Sequence, residues 1–221
     1  NFSALEDYYT TQGRGWERFA MVKARVVTGD KKAIARLEEI LSPFVYRRYL
    51  DYGAIEALRD LKRKINLEVA RKGMHDNIKL GQGGIRELEF IVQSFQLIRG
   101  GRLQGLQIQS FHQALEQIAL EGLLAEDEKV LLWNAYEFLR NTEHVLQAID
   151  DKQTQQLPVD ELERMRVALV LGELSWDSFL VRLDSHRENV HRCFSNMIAD
   201  DEVVDSNQQQ NAGLQWQPEM N

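Results

Sequence analysis

The chain has 221 residues, 43% of them hydrophobic and 28% charged, with a formal net charge of -7 and one cysteine. At roughly 100 to 200 residues per domain this length holds one large or two small cores. A lone Cys193 excludes an internal disulfide, no Cys/His pair has the close spacing of a structural zinc site, and no apolar run approaches the roughly 20 residues of a membrane span.

Three prolines and fourteen glycines in a background of Leu, Glu, Gln, Arg and Ala predict a mainly α protein. A short helix is expected over Leu5 to Thr10, followed by a break at Gly13-Arg14-Gly15. Trp16, Phe19, Ala20, Lys23 and Val27 then recur at helical spacing up to Gly29-Asp30. Lys32 to Leu41 reads as helix interrupted by Pro43, Phe44 to Tyr52 as an aromatic-rich turn or helix, and Ala54 to Lys72 as a long amphipathic helix closed by Gly73. A short strand over Ile78 to Leu80 is expected to enter the loop Gly81-Gln82-Gly83-Gly84. Ile85, Leu88, Ile91, Val92, Phe95 and Ile98 then mark a helix to Arg99. Gly100-Gly101 ends it. Further helices are expected over Gln109 to Glu121, Asp127 to Asp150, Asp160 to Leu171 and Trp176 to Asp200, with Asp127 and Asp160 as caps and Gln153 to Val159 as a turn between antiparallel neighbours. From Glu202 the composition turns polar, which predicts a linker or disordered tail.

Charge divides unevenly. Residues 1–92 hold 17 Lys+Arg against 13 Asp+Glu, giving +4, and residues 93–221 hold 10 against 21, giving -11. A basic front can hold phosphate, whereas an acidic rear repels a nucleic-acid backbone. Gly81, Gly83 and Gly84 place backbone amides at a helix start, where an anion is favoured, although such loops also serve as plain turns. Arg86, Glu87 and Glu89 follow at once; the two acids can complement the helix dipole, or one can hold a divalent metal beside the loop. Arg14, Arg18, Lys23 and Arg25 form a second set, with Arg18 and Arg25 two turns apart on a similar helix face, and a solvated face is the ordinary reading of such residues. Arg47-Arg48 and Lys62-Arg63-Lys64 read as surface charge. His186 and His191, five apart, are unaligned on a helix, and Arg140, Glu143, His144 and Gln147 share one stripe that suits an internal polar network or an interface.

Several blocks carry a resemblance: Gly13-Arg14-Gly15-Trp16-Glu17-Arg18 with Lys23-Ala24-Arg25; Lys79-Leu80-Gly81 with Gly83 to Gln93; Phe95 to Arg102; and Gln153-Thr154 with Leu157-Pro158. Over residues 1 to about 200 these resemble the bifunctional glutamine synthetase adenylyltransferase/adenylyl-removing enzymes. The resemblance implies two homologous nucleotidyltransferase halves, one removing AMP from a glutamine synthetase tyrosine by phosphorolysis to give ADP, the other attaching AMP from ATP. The Arg86-Glu87 pair and the block ending at Arg102 look more like the removing half, since the other half usually shows Asp in place of Glu87.

The expected architecture is then the C-terminal part of a nucleotidyltransferase α/β domain over 1–92, a helical bundle over 93–203 and a polar tail over 204–221. By resemblance the cofactor is Mg²⁺, with Glu89 or Glu87 as a metal-side acid. Lys23, Arg25 or Arg18 would stabilise phosphoryl charge, and Arg86 with the amides after Gly83 would cradle phosphate. The implied partners are glutamine synthetase and a PII signalling protein, with no nucleic acid and no membrane. A cytoplasmic setting fits the single thiol, and NFSALEDYY has no secretion-signal character. Without an initiator methionine the sequence reads as a segment of a longer protein. The family's Gly-Gly or Gly-Ser turn leading to Asp-x-Asp on a strand is missing from this sequence, so an incomplete site is expected. Two other readings stand beside this one: an interaction module that docks glutamine synthetase or PII, and a part of the related uridylyl-transferring enzyme.

Overall fold

The computed structural model describes residues 1–47, 52–151 and 153–212. The fold is mainly α, and no strand occurs among the described residues, including the front segment expected to end an α/β domain. In chain order the helices are α1 (Phe2–Thr11), α2 (Gly15–Met21), α3 (Lys31–Val45), α4 (Tyr52–Lys72), α5 (Ile85–Arg99), α6 (Phe111–Leu120), α7 (Glu126–Asp150), α8 (Glu161–Val170) and α9 (Trp176–Ala212). No helix among these residues is long and apolar enough to cross a membrane.

Caps set most starts. Asp30 accepts from the amides of Lys32 and Ala33, Ser110 from Gln113 and Asp160 from Glu163, which meets donors left orphaned at a helix N-terminus. Asp127 is not a cap: α7 begins at Glu126 after Ala125, and Asp127 sits in the first turn, where its charge complements the helix dipole. Gly73 ends α4 with φ of 58°, a conformation that disfavours any side chain with a Cβ.

Four other expectations are corrected. Pro43 lies inside α3 rather than interrupting it, because it falls in the last turn, where it removes one amide, while Phe44 and Val45 beyond it are buried in the core. Helix α2 stops at Met21, so Lys23 and Arg25 follow the helix and Arg25 does not share a face with Arg18. The Lys23 ammonium instead donates to the Gln109 carbonyl at 2.8 Å, and the β-branched run Val26-Val27-Thr28 favours an extended exit. Residues 78–80 form a turn: Asn77 Oδ1 accepts from the amides of Lys79 (3.0 Å) and Leu80 (2.7 Å), taking up donors that a strand would pair elsewhere. Helix α9 continues past Asp200 to Ala212, into the segment read as a polar tail. The Phe44 to Tyr52 expectation falls partly on α3 and partly outside the described residues.

Helix α5 is the hub. Ten of its fifteen residues are buried, and it packs against α2, α4, α6, α7 and α9, as expected of a helix that is apolar on most sides. The 92/93 boundary falls within it, and one core runs from Val22 and Phe44 to Phe194. Phe90 stacks on Phe19 at 4.9 Å and meets Phe194 edge-on at 5.2 Å, tying α2 and α9 to α5 through one side chain. The connector after α7 is zipped to the segment before the glycine loop. Ile78 N donates to Gln155 O and Leu157 N to Asp76 O, each at 2.9 Å, around a single Asn77–Gln156 bridge.

Candidate functional site

The glycine block is closed by its own backbone. Gly81 N donates to Asn77 O (2.8 Å), Gly84 N to Gly81 O (3.1 Å), Ile85 N to Ile78 O (3.2 Å) and Arg86 N to Lys79 O (3.0 Å). The Gly83 amide bonds the Glu87 carboxylate. The amides expected to cradle a phosphate therefore already have acceptors inside the chain. Packing explains the glycines. A Cβ on Gly81 would lie 2.5 Å from Asn77 O, one on Gly84 2.7 Å from Ile78 O, and one on Gly83 2.2 Å from Arg187 O on α9. Arg187 braces the same segment, its guanidinium donating to His75 O (2.7 Å) and Asn77 O (3.0 Å). Arg86 ties the loop to α4, reaching Glu68 and Leu80 O at 3.2 Å each.

Glu87 and Glu89, two residues apart on a helix, point about 200° apart around its axis. Glu87 turns inward. Only 2% exposed, its carboxylate lies 3.2 Å from His191 Nδ1, and the far nitrogen of that ring is 3.4 Å from Ser195 Oγ. Lys62 on α4 completes this face, donating to Phe194 O at 2.9 Å with its ammonium over the Phe194 ring. Burial pushes the Glu87 carboxyl above its ordinary value, against the pull of His191, the Gly83 amide and Lys62.

A carboxyl whose folded pKa is raised favours the folded state below its unfolded value of about 4.3 and loses that advantage as pH climbs through the folded value. Glu87→Gln is therefore expected to gain stability relative to the parent protein as pH rises from about 4 toward neutrality. Urea midpoints of the two proteins measured across that range check it; a constant difference contradicts it.

Glu89 turns to the other side, toward Arg140 Nη2 at 3.5 Å, and stays about one-third exposed. Arg140 also reaches Glu143 at 2.6 Å and the Tyr136 hydroxyl at 3.2 Å, and Lys79 meets Glu143 at 3.5 Å. Lys23 joins from the segment after α2; burial lowers its pKa and the charge of Glu89 opposes that shift. Chain segments far apart in sequence thus build one charged shelf of Lys23, Glu89, Arg140, Glu143 and Lys79. Arg18 lies elsewhere, buried and donating to Val45 O at 3.1 Å, and Arg25 is exposed.

The sequence profile of the family described as glutamate-ammonia ligase adenylyltransferase matches residues 1–40, and that described as GlnD PII-uridylyltransferase matches residues 59–198. The bifunctional glutamine synthetase adenylyltransferase/adenylyl-removing enzyme of Pseudomonas putida is 52% identical over 218 residues, which is 99% of this chain and 22% of the relative. Those of Psychromonas ingrahamii and Pseudomonas aeruginosa are 48% and 50% identical over 98% and 99% of the chain and 23% and 22% of their own lengths. The chain belongs to the glutamine synthetase adenylyltransferase family. It spans just over a fifth of the length of the relatives it matches, and its helical region is common ground with the uridylyltransferase family.

Within this adenylyltransferase-family chain the expected site residues separate into three groups. Lys23 and Glu89 come together on the shelf, Glu87 belongs to the α5–α9 packing, and Arg18, Arg86, Gly81, Gly83 and Gly84 hold backbone in place, while Arg25 is exposed and joins none of them. Mg²⁺ does not fit the residues present. Among the described residues no three His, Cys, Asp or Glu side chains gather as a ligand set, and the Glu89 carboxylate faces two cations. Sequence reading placed Arg140 and Glu143 in a polar network and missed Arg187, His191 and Lys62, whose partners on these faces lie more than a hundred residues away. The only sequence signal for Arg187 is indirect: Gly83 advertises a close backbone approach without saying from where.

Proposed function

We propose that the chain is a working part of the enzyme that removes AMP from adenylylated glutamine synthetase by phosphorolysis, giving ADP, while AMP attachment from ATP belongs to another part of the longer polypeptide. The name and identity of the relatives support the reaction class, and the resemblance of Arg86-Glu87 and of the block ending at Arg102 to the removing half supports the direction. The observation that carries the reading is the partly exposed shelf of Lys23, Glu89 and Arg140. Two cations beside one carboxylate can receive a phosphoryl group whose charge rises in an in-line displacement. Lys23 and Arg140 supply that positive charge, and Glu89 holds the guanidinium in register. Glutamine synthetase is then the protein substrate and PII a candidate regulator. A cytosolic setting accords with a free, buried Cys193. The decisive test is the rate of AMP removal by full-length protein carrying Glu89→Gln.

The 221-residue chain by itself is expected to neither add nor remove AMP, because the Asp-x-Asp pair that resemblance assigns to the metal is not in its sequence. Release of ADP from adenylylated glutamine synthetase, followed with added Mg²⁺ and phosphate, checks this. Metal-dependent release by the chain alone contradicts the reading of a site completed by other parts of the protein.

A further inference from the structure

Helix α8 buries only Val167 and Ala168. Leu162, Met165 and Leu169 recur at i, i+3 and i+7 on a single ridge, and each is more than half exposed. Val159 before the helix and Leu174 after it are also exposed. Val159, Met165, Leu169 and Leu174 line one groove of about 760 Å³ together with Ala168 and Trp176. Of the fourteen large apolar side chains exposed among the described residues, six fall within residues 159–174. Apolar residues scattered singly over a surface need no partner, but a contiguous ridge and groove does.

We propose that this groove seats an apolar helix flanked by Lys or Arg, supplied by another part of the same longer polypeptide. The ridge spacing is that of one helix face, which a second helix meets by ridge-into-groove packing. Charge selects the flanks. The segment carries Asp160, Glu161, Glu163, Glu173 and Asp177 against Arg164, Arg166 and Arg182. Arg164 is committed to Pro158 O and the Trp176 ring, and Arg182 and Glu173 pair with each other, which leaves four acids against Arg164 and Arg166. A second copy of this face would bring acid against acid, so a basic-flanked occupant fits better. The source follows from length: the chain matches its relatives over almost all of itself but just over a fifth of them, and a tethered segment reaches a high effective concentration at such a groove. This inference rests on family membership and not on which reaction the shelf serves.

The test uses full-length protein with one added cysteine, Leu169→Cys or Leu174→Cys, and N-ethylmaleimide labelling of that site followed by peptide mass spectrometry. Labelling is expected to be at least about tenfold slower than for the same cysteine in the urea-unfolded chain and independent of protein concentration. Adding Glu163→Lys to Leu174→Cys is expected to speed it severalfold. Labelling as fast as in the unfolded chain overturns the proposal. Protection lost on dilution assigns the groove to a second copy, and protection that needs added glutamine synthetase assigns it to the substrate; either overturns the intramolecular occupant. No change with Glu163→Lys overturns the basic flank. None of these readouts depends on AMP turnover, so failure here is separate from failure of the proposed reaction.

Discussion

Glu89→Gln in the full-length enzyme is expected to slow AMP removal by roughly a hundredfold or more while leaving the melting temperature almost unchanged. Glutamine keeps the size of the side chain and removes its charge. On the shelf that charge faces Arg140 at 3.5 Å and opposes the pKa lowering that burial imposes on Lys23. Its loss leaves Lys23 without the charge that offsets its burial and frees the guanidinium to settle on Glu143 and Tyr136 alone. An ion pair with both side chains about one-third exposed contributes only about 0 to 1 kcal/mol to stability, so the two readouts part company. AMP attachment by the full-length protein is expected to survive, because the reading gives that activity to another part of the polypeptide. Should Glu89→Gln remove AMP at the parent rate while Glu87→Gln does not, the working acid is Glu87; if both variants stay active, the two carboxylates are structural.

Gly83→Ala is expected to cost on the order of 3 kcal/mol or more of folding stability, a larger loss than Glu89→Gln. Two effects add. Its φ of +67° is strained for a residue with a Cβ, and that Cβ would stand 2.2 Å from the carbonyl oxygen and 2.6 Å from the carbonyl carbon and Cα of Arg187. Backbone cannot step aside as a flexible side chain can, so α9 must move or the loop must open. Gly122 gives the control. It shares the φ of +67° but has nothing within 4 Å of the added methyl, so Gly122→Ala is expected to cost only about 1 kcal/mol. Denaturant midpoints of both variants separate the strain from the clash. Near-equal losses would show that α9 does not press on the loop, and a Gly83→Ala protein of parental stability but weakened ADP binding would restore the phosphate-cradle reading of the loop.

Residue order alone determined the helical class and most helix limits, because an apolar period of three to four residues, an Asp160 cap and a Gly73 stop are all written within a few positions of where they act. It also pointed to the family, through the segment from Gly13 to Arg25, since the block from Lys79 to Gln93 is common ground with the uridylyltransferases. What it left open was direction. The spacing of Glu87 and Glu89 requires that they diverge around α5, but which one meets water and which one meets His191 depends on where α7 and α9 pack, and His191 lies 104 positions from Glu87. The loop shows the same limit. Three glycines at a helix start offer amides to an anion in any isolated reading, and only the folded chain reveals that the carbonyls of Asn77, Ile78, Lys79 and Gly81 and the backbone of Arg187 have taken that space. Local rules act through covalent neighbours, whereas the acceptors that close this loop and the cations that flank Glu89 are brought there by burial of the shared core, a long-range constraint that no short window of sequence contains.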